Sequence, residues 1–152
     1  MIHIGVIGAG ECSAAGSAHA YEVGSLIAQH KAVLICGGLG GIMESAARGA
    51  QDAGGLTVGI LPGFESDEAN HYIDIPIVTG LSHARNILVV RSSTVLIAIE
   101  GGYGTLSEIA IALKLGKPVV GLNTWNVDPR VIQVKTAREA VEKALSLIQK
   151  KV

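Results

Sequence analysis

Short, continuous apolar runs rich in β-branched residues alternate along the whole chain with longer stretches that are apolar on one side or all round. The short runs are Ile2–Ile7, Ala32–Cys36, Thr57–Leu61, Asp74–Thr79, Thr94–Ile99, Pro118–Leu122 and Val131–Val134. They are too brief for helices, and the most apolar of them, Thr94–Ile99, reads as a strand buried on both faces of a parallel sheet. Between them, helices are expected from about Ser17 to His30, from the glycines at 37–41 to about Ala53, from Ser82 or His83 to about Ser92, and from Thr105 to Lys117. Ser13 or Ser17 would cap the first, Gly54-Gly55 stops the second and Gly116 closes the fourth. Thr136-Ala137-Arg138-Glu139 has the form of a capping box for a terminal helix with Val141, Ala144, Leu145 and Ile148 on one face. Pro62–His71 and Asn123–Arg130 have the composition of loops.

Strict alternation of buried strands with helices predicts an α/β, doubly wound sheet, mostly parallel, of about seven strands with helices on both faces. The 152 residues suffice for one domain, residues 1–152, with a core that needs no staple. A net charge of −1, with one Trp and one Phe for stacking, argues against a nucleic-acid partner. Two cysteines, Cys12 and Cys36, predict neither a disulfide framework nor a metal site, and read as reduced thiols of a cytoplasmic protein. No apolar run is long enough to span a membrane, and Met1-Ile2-His3-Ile4 enters a strand directly, without the charged start of a leader.

The candidate chemistry lies in three glycine-rich corners, Gly8-Ala9-Gly10, Gly37-Gly38-Leu39-Gly40-Gly41 and Gly101-Gly102-Tyr103-Gly104, each following a strand and leading into a helix. In a doubly wound sheet all three fall at the carboxyl edge, where ligands bind. Glycines there allow sharp turns and close approach, and the free N–H groups of the next helical turn favour an anion, most often a phosphate. A dinucleotide is not expected. The first corner ends in Ser13 rather than Gly, and the second strand ends in Cys36-Gly37 where an acidic residue would hold the ribose. No Gly-Lys-Ser/Thr marks a triphosphate loop. The pattern fits a phosphomonoester held mainly by backbone N–H groups, with Glu108 one turn into its helix and able to lean back over the loop.

Two corners resemble a known family. Gly37-Gly38-Leu39-Gly40-Gly41-Ile42-Met43, followed by Gly49-Ala50, is similar to the first motif of the lonely-guy-type proteins, long mislabelled as lysine decarboxylases. Gly101-Gly102-Tyr103-Gly104-Thr105-Leu106-Ser107-Glu108 is similar to their second motif, Pro-Gly-Gly-x-Gly-Thr-x-x-Glu, with Glu100 in place of the proline. Arg85 and Arg91 fall at family positions. The short chain and the run Ser107–Val119 resemble a sister branch containing molybdenum-cofactor carrier proteins, within the Rossmann-like nucleotide-binding superfamily.

Gly8 and Gly10 of the first corner belong to the expected binding set, to which the resemblance adds Gly37, Gly38, Gly40, Gly41, Met43, Gly101, Gly102, Tyr103, Gly104 and Thr105, and a catalytic pair, Glu108 and Arg85. In the carrier branch these residues would hold a nucleotide or the molybdenum cofactor by its phosphate, with no bond broken. In the lonely-guy branch the same site cleaves the N-glycosidic bond of a nucleoside 5′-monophosphate and needs no cofactor. Glu108 would then orient water and stabilise charge at the anomeric carbon, and Arg85 would face the phosphate or leaving base. A third reading is a nucleotide sensor acting through a partner protein. Glu100, at the strand exit, is expected to repel a dianion unless protonated or paired, for instance with Arg85. Asn86 replaces a family lysine. His19 and His83 lie where they can approach the cleft. Lysine decarboxylation needs a Schiff-base lysine, and the lysines, including Lys150 and Lys151, all lie away from the glycine corners. The apolar surface of helices 84–92 and 105–117 exceeds what one sheet face covers, which predicts a homodimer or homotetramer joined through them.

Overall fold

A computed structural model describes residues 1–149. Seven strands form one all-parallel sheet: β1 (His3–Gly8), β2 (Val33–Cys36), β3 (Thr57–Leu61), β4 (Ile75–Val78), β5 (Val95–Ile99), β6 (Val119–Leu122) and β7 (Val131–Val134). Their order across the sheet is β4-β3-β2-β1-β5-β6-β7. The chain therefore builds outward from β1 in one direction, then returns to β5 on its other side. This reversal opens a crevice beyond the carboxyl ends of β1 and β5, where the connections diverge. The pairing runs Ile4↔Val95 through Gly8↔Ile99, so the two glycine-rich exits of these strands lie side by side.

Five helices cover the sheet: α1 (Ala14–Gln29), α2 (Ile42–Asp52), α3 (Asn86–Ser92), α4 (Tyr103–Lys114) and α5 (Ala137–Gln149). Alternation along the strands assigns them to faces. Val95, Ile97 and Ile99 join Ile4 and Val6 in a core with Val23 and Ile27 of α1, Ala46 of α2 and Val141 of α5. Leu96 and Ala98 point the other way and pack with Val89 and Val90 of α3 and Ile109 and Ala112 of α4. The expected α/β doubly wound fold is the one observed.

Local differences have local causes. Ser13, not Ser17, is the cap of α1. Its side chain accepts from the N–H of Gly16 at 3.0 Å, and the helix starts at Ala14. The 105–117 helix runs instead from Tyr103 to Lys114, and Gly116 takes φ +71° just past its end. The segment opening at Ser82 is a 3₁₀ turn over Ser82–Arg85 before α3 begins. At α5, the Thr136 hydroxyl accepts from the N–H of Glu139 at 3.1 Å, while the Glu139 carboxylate accepts from Lys135 at 3.2 Å, one residue further back than in the capping box. Lys150 and Lys151 lie outside the described residues. Among the described residues no helix is long and apolar enough to cross a membrane.

Helices α3 and α4 pack on each other and the sheet, and leave Ile87 exposed and Ile111 and Leu113 half-buried. More apolar surface remains at the edge strand β4, where Ile75, Ile77 and Val78 are all exposed, with Leu81 beyond them.

Candidate functional site

A cleft of about 210 Å³ opens at the carboxyl edge, between the exits of β1, β2 and β5. Of the residues singled out in the sequence, Gly8, Gly10, Gly37, Met43, Arg85, Gly102, Gly104, Thr105 and Glu108 line it. Gly38, Gly40, Gly41, Gly101 and Tyr103 are not among the lining residues. His83 lines the cleft, as does Asn86, and no described lysine does.

The helix N-termini that follow the three glycine corners are not equivalent. At α1 the space is filled by the chain's own acid. The Glu100 carboxylate accepts from the N–H of Ser13 at 3.0 Å and from its hydroxyl. It presses on Gly16, where a Cβ would lie 2.3 Å from a carboxylate oxygen. The Ser13 hydroxyl and N–H hold Glu100 below the ordinary carboxylate range. The expected partner of Glu100, Arg85, lies elsewhere; Glu100 is an internal counter-charge for a helix and does not line the cleft. Its backbone sits at φ +53°, which a proline, fixed near about −65°, cannot adopt. The departure from the family motif is thus conformational as well as electrostatic.

At α2 the N-terminus is capped by the first corner. The N–H of Ile42 donates to the Ala9 carbonyl at 2.9 Å. Gly41, at φ +66°, lets the two loops meet, since a Cβ there would lie 2.2 Å from that same oxygen.

Of these three, α4 has the most open N-terminus. Gly102 caps it without a side-chain hydrogen bond, and no other part of the described chain accepts from the N–H groups of Tyr103, Gly104 and Thr105. The Thr105 hydroxyl is on the same side, in a residue only 3% exposed. These donors lie where Gly102, Gly104 and Thr105 line the cleft, an arrangement able to seat one anion.

Two charged side chains face that seat. Glu108 is 7% exposed and accepts no hydrogen bond from any described residue. Burial pushes its carboxyl up from 4.5 to about 7, against the opposing pull of the Arg85 charge. Arg85 is held in place by carbonyls: its Nε donates to Ile60 at 2.9 Å and an Nη to Gly37 at 3.5 Å. Its other Nη donates to the Asn86 amide oxygen. Asn86 then donates to the Ser107 hydroxyl at 3.0 Å, tying α3 to the first turn of α4. Asn86 therefore orients Arg85 from a buried position. In sequence it registers only as a missing lysine. Behind Gly37 lies Cys36, fully buried, its thiol pushed by burial up to about 12.

Fold and edge together define a Rossmann-like α/β domain with a polar cleft at its topological switch point. The chain belongs to the SLOG cluster4 family, whose model matches residues 1–150. It is 51% identical over 96% of both chains to a protein of Archaeoglobus fulgidus described as uncharacterized. Among solved structures it is similar to the molybdenum cofactor binding protein of Rippkaea orientalis, with a TM-score of 0.92 at 40% identity over 97% of each chain. It is likewise similar to the molybdenum cofactor carrier protein of Chlamydomonas reinhardtii, with a TM-score of 0.88 at 38% identity over 97% of this chain and 98% of that one. A more distant relative is the cytokinin riboside 5′-monophosphate phosphoribohydrolase of Mycobacterium tuberculosis, 34% identical over 116 residues, of whose length the match covers 62%. Both sides of the resemblance drawn from the glycine motifs are thus found, with the carrier side extending over nearly the whole chain.

Proposed function

We propose that this protein binds the phosphorylated end of a pterin-type or nucleotide-like small molecule and holds it without cleaving it, as a carrier of the molybdenum-cofactor kind. The observation that carries the reading is the open N-terminus of α4, facing a buried Arg85, while α1 and α2 each receive an acceptor from another part of the chain, the Glu100 carboxylate and the Ala9 carbonyl. A phosphate placed there receives backbone N–H groups and the Thr105 hydroxyl, and the Arg85 charge offsets its own. Metal would arrive on the ligand's own donors, because the described residues include no cluster of three His, Cys, Asp or Glu side chains. The similarity to two molybdenum-cofactor proteins across almost the full chain supports the same reading. The free thiols Cys12 and Cys36 suit a reducing cytoplasm. The test is to incubate the protein with AMP, GMP and a pterin monophosphate, following melting temperature and released base together. A raised melting temperature with no base released is the expected result.

One observation favours a second reading, phosphoribohydrolase chemistry. A buried carboxyl with a pKa of about 7 beside an arginine is in the working range of a general acid or base. Base released by the wild type and not by Glu108→Gln would establish it.

A further inference from the structure

The cleft is small for its ligand. About 210 Å³ accepts a phosphate and the group next to it, but not a fused heterocycle as well, since pockets that enclose drug-sized molecules begin near ~300 Å³. The ring must lie over the rim. An aromatic pair stands next to the lining glycines Gly102 and Gly104. Tyr103, the first residue of α4, stacks on Trp125 with ring centroids 6.2 Å apart and planes 30° from parallel. Trp125 is fixed by a hydrogen bond from its indole N–H to the Gly102 carbonyl at 3.0 Å, and its body wedges against the β-sheet core. Tyr103 is 84% exposed, so folding gains little from its ring. Both residues are joined to the anion seat through Gly102 and Gly104, its lining neighbours on either side of Tyr103. A separate hollow of about 430 Å³, lined by Glu100, Gly101, Asn123, Thr124 and Trp125, lies along the indole. The chain has three Tyr, one Phe and one Trp in all, so two of five aromatic residues meet here.

We infer that Tyr103 and Trp125 form a stacking platform for the fused ring of the ligand whose phosphate occupies the cleft. The inference rests on the phosphate-binding reading above and adds the ring-recognition half of the site. Flat π-faces hold a pterin or a purine by stacking without reading its edge. The platform therefore accepts several bicyclic rings and discriminates against ligands that have none.

The test compares neopterin monophosphate and GMP with ribose 5-phosphate by calorimetry, on wild type, Trp125→Leu and Tyr103→Leu. Expected is a loss of about tenfold in affinity for the two ring compounds with Trp125→Leu, and of about threefold with Tyr103→Leu. Affinity for ribose 5-phosphate should stay within about twofold in both. Tyr103→Phe, which keeps the ring, should restore wild-type binding. Trp125, the sole tryptophan, also reports directly: GMP should quench its fluorescence and ribose 5-phosphate should not. Ring compounds bound equally by wild type and both leucine variants would overturn the platform and leave the phosphate site standing. Equal losses for ribose 5-phosphate would show a purely structural pair and overturn it too. If no phosphate compound binds the wild type, the cleft reading fails and the platform with it.

Discussion

Glu100 takes both polar groups of Ser13, the N–H at 3.0 Å and the hydroxyl, and so supplies α1 with the negative charge that a bound phosphate supplies in nucleotide-binding relatives of this fold. Because its pKa is lowered in the folded chain, its contribution is present above the ordinary carboxylate value of 4.5 and is lost as pH falls through the lower, folded value. Glu100→Gln should cost about 0.5–1 kcal/mol at pH 7, read as a lowered melting temperature that converges with wild type in acid. Its affinity for ribose 5-phosphate should change less than about twofold, because the carboxylate faces α1. A large gain in affinity would mean that Glu100 repels the cleft anion after all.

Glu108 should give the opposite pH signature. Its folded pKa of about 7 lies above the ordinary 4.5, so the unfolded chain ionises first. Stability is full below pH 4.5, falls as pH rises toward 7, and levels off above it, by on the order of 3 kcal/mol in all. Glu108→Gln should flatten this slope and be more stable than wild type at pH 8 in urea titrations. Wild type should also bind ribose 5-phosphate more weakly above pH 7, as the ionised carboxylate faces the same seat, and the glutamine variant should not.

Thr105→Val tests the anion seat with little change of shape. It removes a hydroxyl that would donate to the ligand and leaves the methyl that packs near Gly101. Phosphate-compound affinity should fall about five- to tenfold by calorimetry, with melting temperature nearly unchanged. Unaltered affinity would move the phosphate away from α4.

The unpaired edge of β4, with Ile75, Ile77 and Val78 exposed and Leu81 beyond them, is a long apolar border for a lone subunit. Light scattering at micromolar concentration should give a mass above one chain. Ile77→Lys should lower it, whereas a monomer in the wild type would remove the homo-oligomer.

Most of the architecture was legible because its strands are short and apolar on both sides, a signature that helices of this length do not share. The corners were legible as glycine clusters, and Glu108 by its place one turn past Gly104. What could not be read was which of the corner helices receives an acceptor from elsewhere in the chain. That depends on contacts between residues far apart in sequence: Glu100 with Ser13, and Ile42 with Ala9. The same is true of Asn86, whose role appears only once α3 and α4 are side by side. The early start of α1 was a choice between two serines, settled by which hydroxyl reaches Gly16.

Cys36 bears on what kind of guest the cleft can keep. With its sulfur sealed beneath Gly37 and its proton held until about pH 12, it supplies no thiolate under cellular conditions. Cys36 is thus withdrawn from thiol–disulfide exchange with anything that enters the cleft, which leaves the half-buried Cys12 as the one thiol able to take part in it.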